Sequence, residues 1–413
     1  MTWLLHLIRR QSACHRGVLG PAAISRRIVP VVLVRRLTLN YHSSSPYAGP
    51  RARPKPPWAA MASCQRDTSS KREVQEARPS SSVLLLSATN EVLLLHRVKT
   101  STSFASAYVF PGGNLDAFHD GQIPAPGSPG RHRDGPAYRL GAIRETFEET
   151  GILLATKDGA LVNLATEQRD EARAKIHNNH VRFGDFLASI GAVADTANLI
   201  PFTRWITPTT IPKRFTTQMY MYMLPISTKS VPSEMLIPTP DGGVEHTAAQ
   251  FAPPQSFLDR AASNSIILFP PQVYLLTLLA RFVTGPTTDL EAGPVHYTGQ
   301  RKKLVSFLRR SVTAETDKGK RHATAGVPWA EKVMSPRVIL VREKDKRVVM
   351  ALDKPGPEVE VEVEAGAGVR GGDWERVVLV KFGREGPSDV EVRMREEVLA
   401  EEKGWKRGEG AKM

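Results

Sequence analysis

Two uninterrupted apolar runs, Val83-Leu84-Leu85-Leu86 and Val92-Leu93-Leu94-Leu95, flank the polar turn Ala88-Thr89-Asn90. Runs of that length around a turn predict a hairpin of strands buried on both faces, over Val83 to Leu95. Thr217 to Leu224 alternates instead, which predicts a strand whose Met219, Met221 and Met223 form one packed face. Helices are predicted over Tyr138 to Thr150, over Thr166 to Ile190, and over Pro271 to Phe282, the last beginning with proline in an early turn. Val338 to Val341, Arg347 to Leu352, Val359 to Val363, Val377 to Lys381 and Val390 to Arg395 alternate as short strands of a small β appendage.

The helix ending at Thr150 carries Arg144-Glu145-Thr146-Phe147-Glu148-Glu149-Thr150-Gly151-Ile152. Positions three and four apart are neighbours on a helix, so Glu145 faces Glu148 and Glu149 across one turn and the three repel unless cations offset them. Clustered hard oxygen donors suit Mg²⁺ or Mn²⁺, which bind through a few carboxylates together with a substrate's phosphates. A solvated acidic face partnered by Arg144 is the plain alternative. Upstream, Phe110-Pro111-Gly112-Gly113-Asn114-Leu115-Asp116 ends a strand in paired glycines that let the backbone approach a ligand.

Together these two pieces resemble the Nudix hydrolase signature: Gly, five residues, Glu, seven residues, then Arg-Glu-U-x-Glu-Glu-x-Gly-U, with U bulky and apolar. Gly113, Arg144, Glu145, Glu148, Glu149, Gly151 and Ile152 match, whereas Thr146 departs at the first U and His119 stands in place of the first Glu. Residues 117–137, rich in Gly and Pro, read as an inserted loop that splits the signature, and either Asp116 or Asp120 could supply the missing carboxylate, or neither. The split signature is similar to the acyl-coenzyme A diphosphatase branch of the Nudix family. Leu93-Leu94-Leu95-His96-Arg97, Trp205-Ile206-Thr207-Pro208, Arg214-Phe215-Thr216-Thr217 and Pro270-Pro271-Gln272-Val273-Tyr274 carry the same resemblance.

The resemblance implies an α+β fold: a Nudix α/β/α sandwich around a mixed sheet, with extra helices and the C-terminal β appendage. It implies Mg²⁺-dependent (or Mn²⁺-dependent) hydrolysis of a pyrophosphate bond. Glu148 and Glu149 would hold metal, Glu145 would be a ligand or the base, and Arg144 would orient them. Gly112 and Gly113 would position the substrate loop, and Glu245 could complete the site or be a plain loop glutamate. Coenzyme A or its acyl esters would be the small-molecule nucleotide substrate, with Arg97, Lys99 and Arg214 as candidate phosphate partners. Arginine and glycine that the motif of this branch would place before Phe110 are missing from Thr102 to Val109. Other classes stay open: a dinucleotide or capped RNA as substrate, or a binding module without catalysis.

Composition narrows the partners. The 413 residues suffice for a full core, and the formal net charge is +14. Residues 1–66 hold 11 Lys plus Arg and no Asp or Glu, leaving 45 basic against 42 acidic residues from Asp67 onward. That near balance argues against nucleic acid as the partner. Residues 1–40, arginine-rich and acid-free, read as a mitochondrial transit peptide, followed by a Pro- and Ser-rich linker over 41–81. The domain follows over 82–284, then a polar basic connector over 285–335, the appendage over 336–396 and a tail over 397–413. Within the connector, Arg301 to Arg310 reads as a solvated helix. The terminal Ala411-Lys412-Met413 resembles a peroxisomal address. Import receptors of either compartment are therefore expected partners, and Met61 is a possible alternative start. The apolar runs near Leu4 and Val31 are too short to span a membrane, and Cys14 and Cys64 offer the folded part neither a disulfide framework nor a thiolate zinc site.

Overall fold

The computed structural model describes residues 74–97, 107–226, 238–239, 246–289, 291–364, 370–383 and 385–408. The predicted hairpin is β1 (Arg78–Leu86) and β2 (Val92–Arg97), and it is followed by the short strands β3 (Tyr108–Val109) and β4 (Gly112–Asn114). The segment expected as an inserted loop has structure of its own: a single-turn helix α1 (Ala117–Asp120) and a 3-10 turn at Pro129–His132 precede α2 (Pro136–Thr150). Then come β5 (Ala155–Lys157), β6 (Ala160–Leu161), α3 (Thr166–His177), α4 (Phe183–Ser189), β7 (Val193–Ala194), β8 (Ile200–Ile206), β9 (Phe215–Met223) and β10 (His246–Ala252). The helical stretch predicted from Thr166 to Ile190 is thus two helices, with Asn179 in the left-handed region (φ 58°) between them.

The principal sheet runs β10-β2-β1-β9-β8-β11, the last being Val333–Met334, with β3 joined to β2 and β4 to β1. It is mixed, since β1 lies parallel to β9 and antiparallel to β2 and β4. Successive side chains of a strand face opposite sides, so Val83 and Leu85 enter one core with Ile143, Phe147 and Tyr220, while Leu84 and Leu86 enter the other with Met219, Met221 and Leu276. That two-sided burial is why the runs of β1 and β2 are continuous rather than alternating. The face of α2 belongs to the first core, and the methionine face of β9 belongs to the second. The resulting α/β layering is the Nudix-type sandwich that the resemblance implies.

The second core is covered by α5 (Pro254–Ala262), α6 (Pro270–Ala280) and α7 (Gly293–Leu308). The stretch Arg301 to Arg310 is not the solvated helix that its charge suggests. Leu304, Phe307 and Leu308 of α7 form an apolar stripe in the core, and Arg301 donates to Asn90 Oδ1 (2.7 Å), Leu224 O (2.7 Å) and Ser87 O (2.7 Å), clamping the β1–β2 turn. After α8 (Asp317–Arg321) and β11 (Val333–Met334), the C-terminal sheet is antiparallel, β12 (Arg337–Val341), β13 (Val348–Leu352), β14 (Asp373–Gly383) and β15 (Gly386–Met394). Its Met350, Leu352, Val378 and Val380 share the second core, so the appendage is docked on the sandwich through apolar contact. Val359 to Val363 is not one of its strands. It lies in α9 (Pro357–Glu364), where proline opens the helix, Glu358 and Glu360 sit in the first turn, and Val359 docks beside Ala77, Ile206 and Val333. The chain's last described element is α10 (Arg395–Lys406). Among the described residues no helix is long and apolar enough to cross a membrane.

The leader, Cys14, Met61, Cys64, Lys99, Glu245 and Ala411-Lys412-Met413 lie outside the described residues.

Candidate active site

Helix α2 begins at Pro136 behind an extended Gly135 and ends at Gly151, whose left-handed backbone (φ 73°) returns its N–H to Phe147 O at 2.8 Å. Between them Arg144 is buried and organises the carboxylates. Its Nε and Nη2 grip Asp120 Oδ1 (2.8 Å) and Oδ2 (2.9 Å) side-on, its Nη2 also reaches Asn114 O (3.0 Å), and its Nη1 donates to Glu145 Oε1 (3.0 Å) and Glu148 Oε1 (2.8 Å). Burial alone would disfavour the guanidinium charge, but Glu145, Asp120 and Glu148 around it hold its pKa well above the usual value.

The remaining contacts fix where each carboxylate points. Glu149 is buried and accepts the Gly112 N–H at 2.7 Å, which ties the helix to the glycine turn. A Cβ on Gly113 would sit 2.5 Å from the Glu145 carboxylate, so only glycine lets β4 and Glu145 come this close. Burial pushes the Glu148 carboxyl up, yet the hydrogen bond with His177 and the charge of Arg144 outweigh it and hold its pKa below the ordinary value. Arg173 of α3 donates Nε (3.0 Å) and Nη2 (2.8 Å) to the Glu148 carbonyl, covering a helix C-terminus that would otherwise present unpaired oxygens.

His119, which stands where the signature places Glu, is a structural residue. Phe183 N–H donates to its Nδ1 (3.1 Å), so the ring proton sits on Nε2, directed at Asn179 Oδ1 (2.7 Å). Asp116 caps α1 through Phe118 N–H (2.9 Å). Of the two candidate replacements it is Asp120, one position further on, that meets the machinery, as the partner of Arg144.

The structure brings Arg144, Glu145, Glu148, Glu149, Gly112 and Gly113 together. Arg97 is 6 % exposed at the end of β2, on the strand face shared with Leu93, and its Nε and Nη1 have no hydrogen-bond partner among the described residues. Arg214 lies elsewhere, 2 % exposed, with Nε on Thr207 O (2.9 Å) and Nη1 on Gln75 O (3.0 Å) and Glu358. Two of its nitrogens are thus committed to the protein. Arg173 and His177 were not singled out from the sequence, because their link to Glu148 arises only when α3 packs on α2.

Three carboxylates on adjacent turns are the hard oxygen donors that Mg²⁺ or Mn²⁺ takes. In this arrangement, however, Arg144 and Gly112 each hold carboxylate oxygens, and among the described residues no three His, Cys, Asp or Glu side chains converge as metal ligands.

A family model described as the NUDT19 Nudix domain matches residues 132–279. A putative nudix hydrolase 7 from Caenorhabditis elegans is 30% identical over 199 residues, covering 48% of this chain and 59% of that protein. An acyl-coenzyme A diphosphatase NUDT19 from Gallus gallus is 28% identical, covering 46% of this chain and 61% of that protein. The chain therefore spans about three fifths of the length of these relatives. A solved NUDIX hydrolase from Alicyclobacillus acidocaldarius is 22% identical with a TM-score of 0.41, covering 51% of this chain and 93% of that one.

Proposed function

We propose that the chain, whose residues 132–279 match the NUDT19 Nudix domain model, is a Nudix hydrolase that cleaves the pyrophosphate bond of coenzyme A or an acyl-coenzyme A, releasing 3′,5′-ADP and (acyl-)4′-phosphopantetheine. The observation that carries hydrolysis of a phosphoanhydride is the buried Arg144 holding Glu145 and Glu148 on one helical face, with Glu149 locked to the glycine turn. Support for the acyl-coenzyme A class comes from the name of the Gallus gallus relative.

Each residue then has a task. Glu145, whose carboxylate lies 2.5 Å from where a Gly113 Cβ would sit, takes the proton of the attacking water. Arg144 fixes Glu145 and Glu148 in direction, and its charge helps hold the Glu148 pKa below the ordinary value. A divalent cation would be held by Glu148 and Glu149 only if they turned from Arg144 and the Gly112 N–H, and it would supply neutralisation of phosphate oxygens and a water of lowered pKa. Arg97, buried with unpartnered donors, suits a phosphate of the nucleotide, with Lys99 beside it in sequence.

The test is incubation of the full chain with Mg²⁺ and a mixture of coenzyme A, acyl-coenzyme A, NADH and ADP-ribose, with products read by mass spectrometry. Release of 3′,5′-ADP with the phosphopantetheine product is the expected result. Products from NADH or ADP-ribose alone would keep the chemistry and move the substrate, and no product from any would favour a binding module.

A further inference from the structure

Four arginines crowd His132 on the α2 side of the sheet, and their charges are unevenly matched. Arg131 is held by Glu76 (3.1 Å) and Pro124 O (2.7 Å), and Arg214 is paired with Glu358. Arg370 donates to the His132 carbonyl at 2.6 Å. The side chain of Arg204, a residue 1 % exposed, makes one hydrogen bond among the described residues, from Nη1 to Thr216 Oγ1 (3.0 Å), an oxygen that also meets His132 Nδ1 (3.1 Å). Its Nε and Nη2 have no partner among the described residues. Asp134, on the loop entering α2, is already taken by Arg139 (2.5 Å) and Tyr220 (2.5 Å).

Those two nitrogens form the side-on edge of the guanidinium, the same edge with which Arg144 grips both oxygens of Asp120. The ring of Tyr138 lies 4.4 Å from Arg204 Cζ, and stacking of this kind covers the face of the group without satisfying in-plane N–H donors. A buried charge with unmet donors is as unfavourable as one partner of a broken buried pair. His132 adds no charge to the cluster, because burial and then the fields of Arg204, Arg370, Arg131 and Arg214 hold its pKa down to about 3. Planar arginine forks match tetrahedral oxyanions bidentately.

We propose that the Nε/Nη2 edge of Arg204 anchors a buried site for a small inorganic oxyanion of the orthophosphate type, closed over by Tyr138, His132 and Arg370. The site is separate from the hydrolytic centre. Arg204 pairs with Gln218, Gln218 with Ser81 and Ser81 with Gly113, which places it three strands away, roughly 14 Å.

The test uses the full chain, dialysed against chloride buffer with EDTA. Ion chromatography measures oxyanion released on denaturation, and equilibrium dialysis with labelled orthophosphate measures uptake by whatever sites are left open. Together they are expected to account for one oxyanion per folded chain. Arg204→Met should abolish it. Arg204→Lys, checked for native circular dichroism, keeps the charge without the fork and should weaken uptake at least tenfold. Glu149→Gln should leave uptake unchanged. No oxyanion released or taken up by the folded wild type, equal uptake by Arg204→Lys, displacement by equimolar chloride, or loss of uptake in Glu149→Gln would each overturn the proposal.

Discussion

Arg144 and Arg204 lie on the same side of one sheet, both with almost no exposure to solvent, and their surroundings are opposite. Around Arg144 the chain supplies Asp120, Glu145 and Glu148, so the guanidinium's charge is met by carboxylates within hydrogen-bond distance. Around Arg204 it supplies a threonine hydroxyl, an aromatic face and further arginines. Burying a charge is costly unless it is paired, so the first arrangement can hold its carboxylates in fixed directions using protein groups alone. The second is incomplete without an anion from outside the chain.

The largest way to break this contrast is Asp120→Asn, which strips the side-on edge of Arg144 of its carboxylate. It should destabilise the protein by about 3–5 kcal/mol in urea unfolding, the usual cost of leaving a buried partner alone. An unchanged midpoint and slope would show that the pair does not matter. A third buried cation sharpens the comparison. Lys332 donates to Thr324 O (2.7 Å) and Gly372 O (3.0 Å), and burial, only partly opposed by Asp373, lowers its pKa to about 8. Between about 8 and its ordinary 10.5 the folded chain binds fewer protons at this group than the unfolded chain, so stability should rise with pH across that window. The contribution is roughly 2–3 kcal/mol, read as the difference between wild type and Lys332→Met in unfolding at pH 7 and pH 10. A constant difference would contradict it. The smallest effect expected is that of Arg173→Met, which uncovers the Glu148 carbonyl at the end of α2. It should cost about 1–2 kcal/mol and lower kcat while leaving KM nearly unchanged. A raised KM at unchanged kcat would instead assign Arg173 to substrate binding.

How much of this was legible in the sequence depended on whether the signal was local. The β1–β2 hairpin and the end of α2 could be read because continuous apolar runs and a glycine stop are properties of neighbouring residues. The three glutamates could be placed on one face for the same reason. Val359 to Val363 misled because its period of two is a strand signal, whereas Pro357 and two early glutamates favour a helix, from which Val359 docks. Arg301 and Leu304 to Leu308 were misjudged because high charge hid an apolar stripe at helical spacing. The choice between Asp116 and Asp120 stayed open because the deciding contact, with Arg144, spans 24 residues and the fold of α1. Arg204 gave no warning at all, since a lone arginine in a strand shows its missing partner only when the surrounding elements are in place.

The central claim is that the α2 face held by Arg144 is the hydrolytic centre. Its most direct test is the rate of 3′,5′-ADP release from an acyl-coenzyme A by the full chain carrying Glu145→Gln, beside wild type and at matched Mg²⁺. The account predicts a fall of about 10²–10⁴-fold, the scale of a lost general base, with native circular dichroism retained. Release at the wild-type rate by a folded Glu145→Gln chain would contradict it.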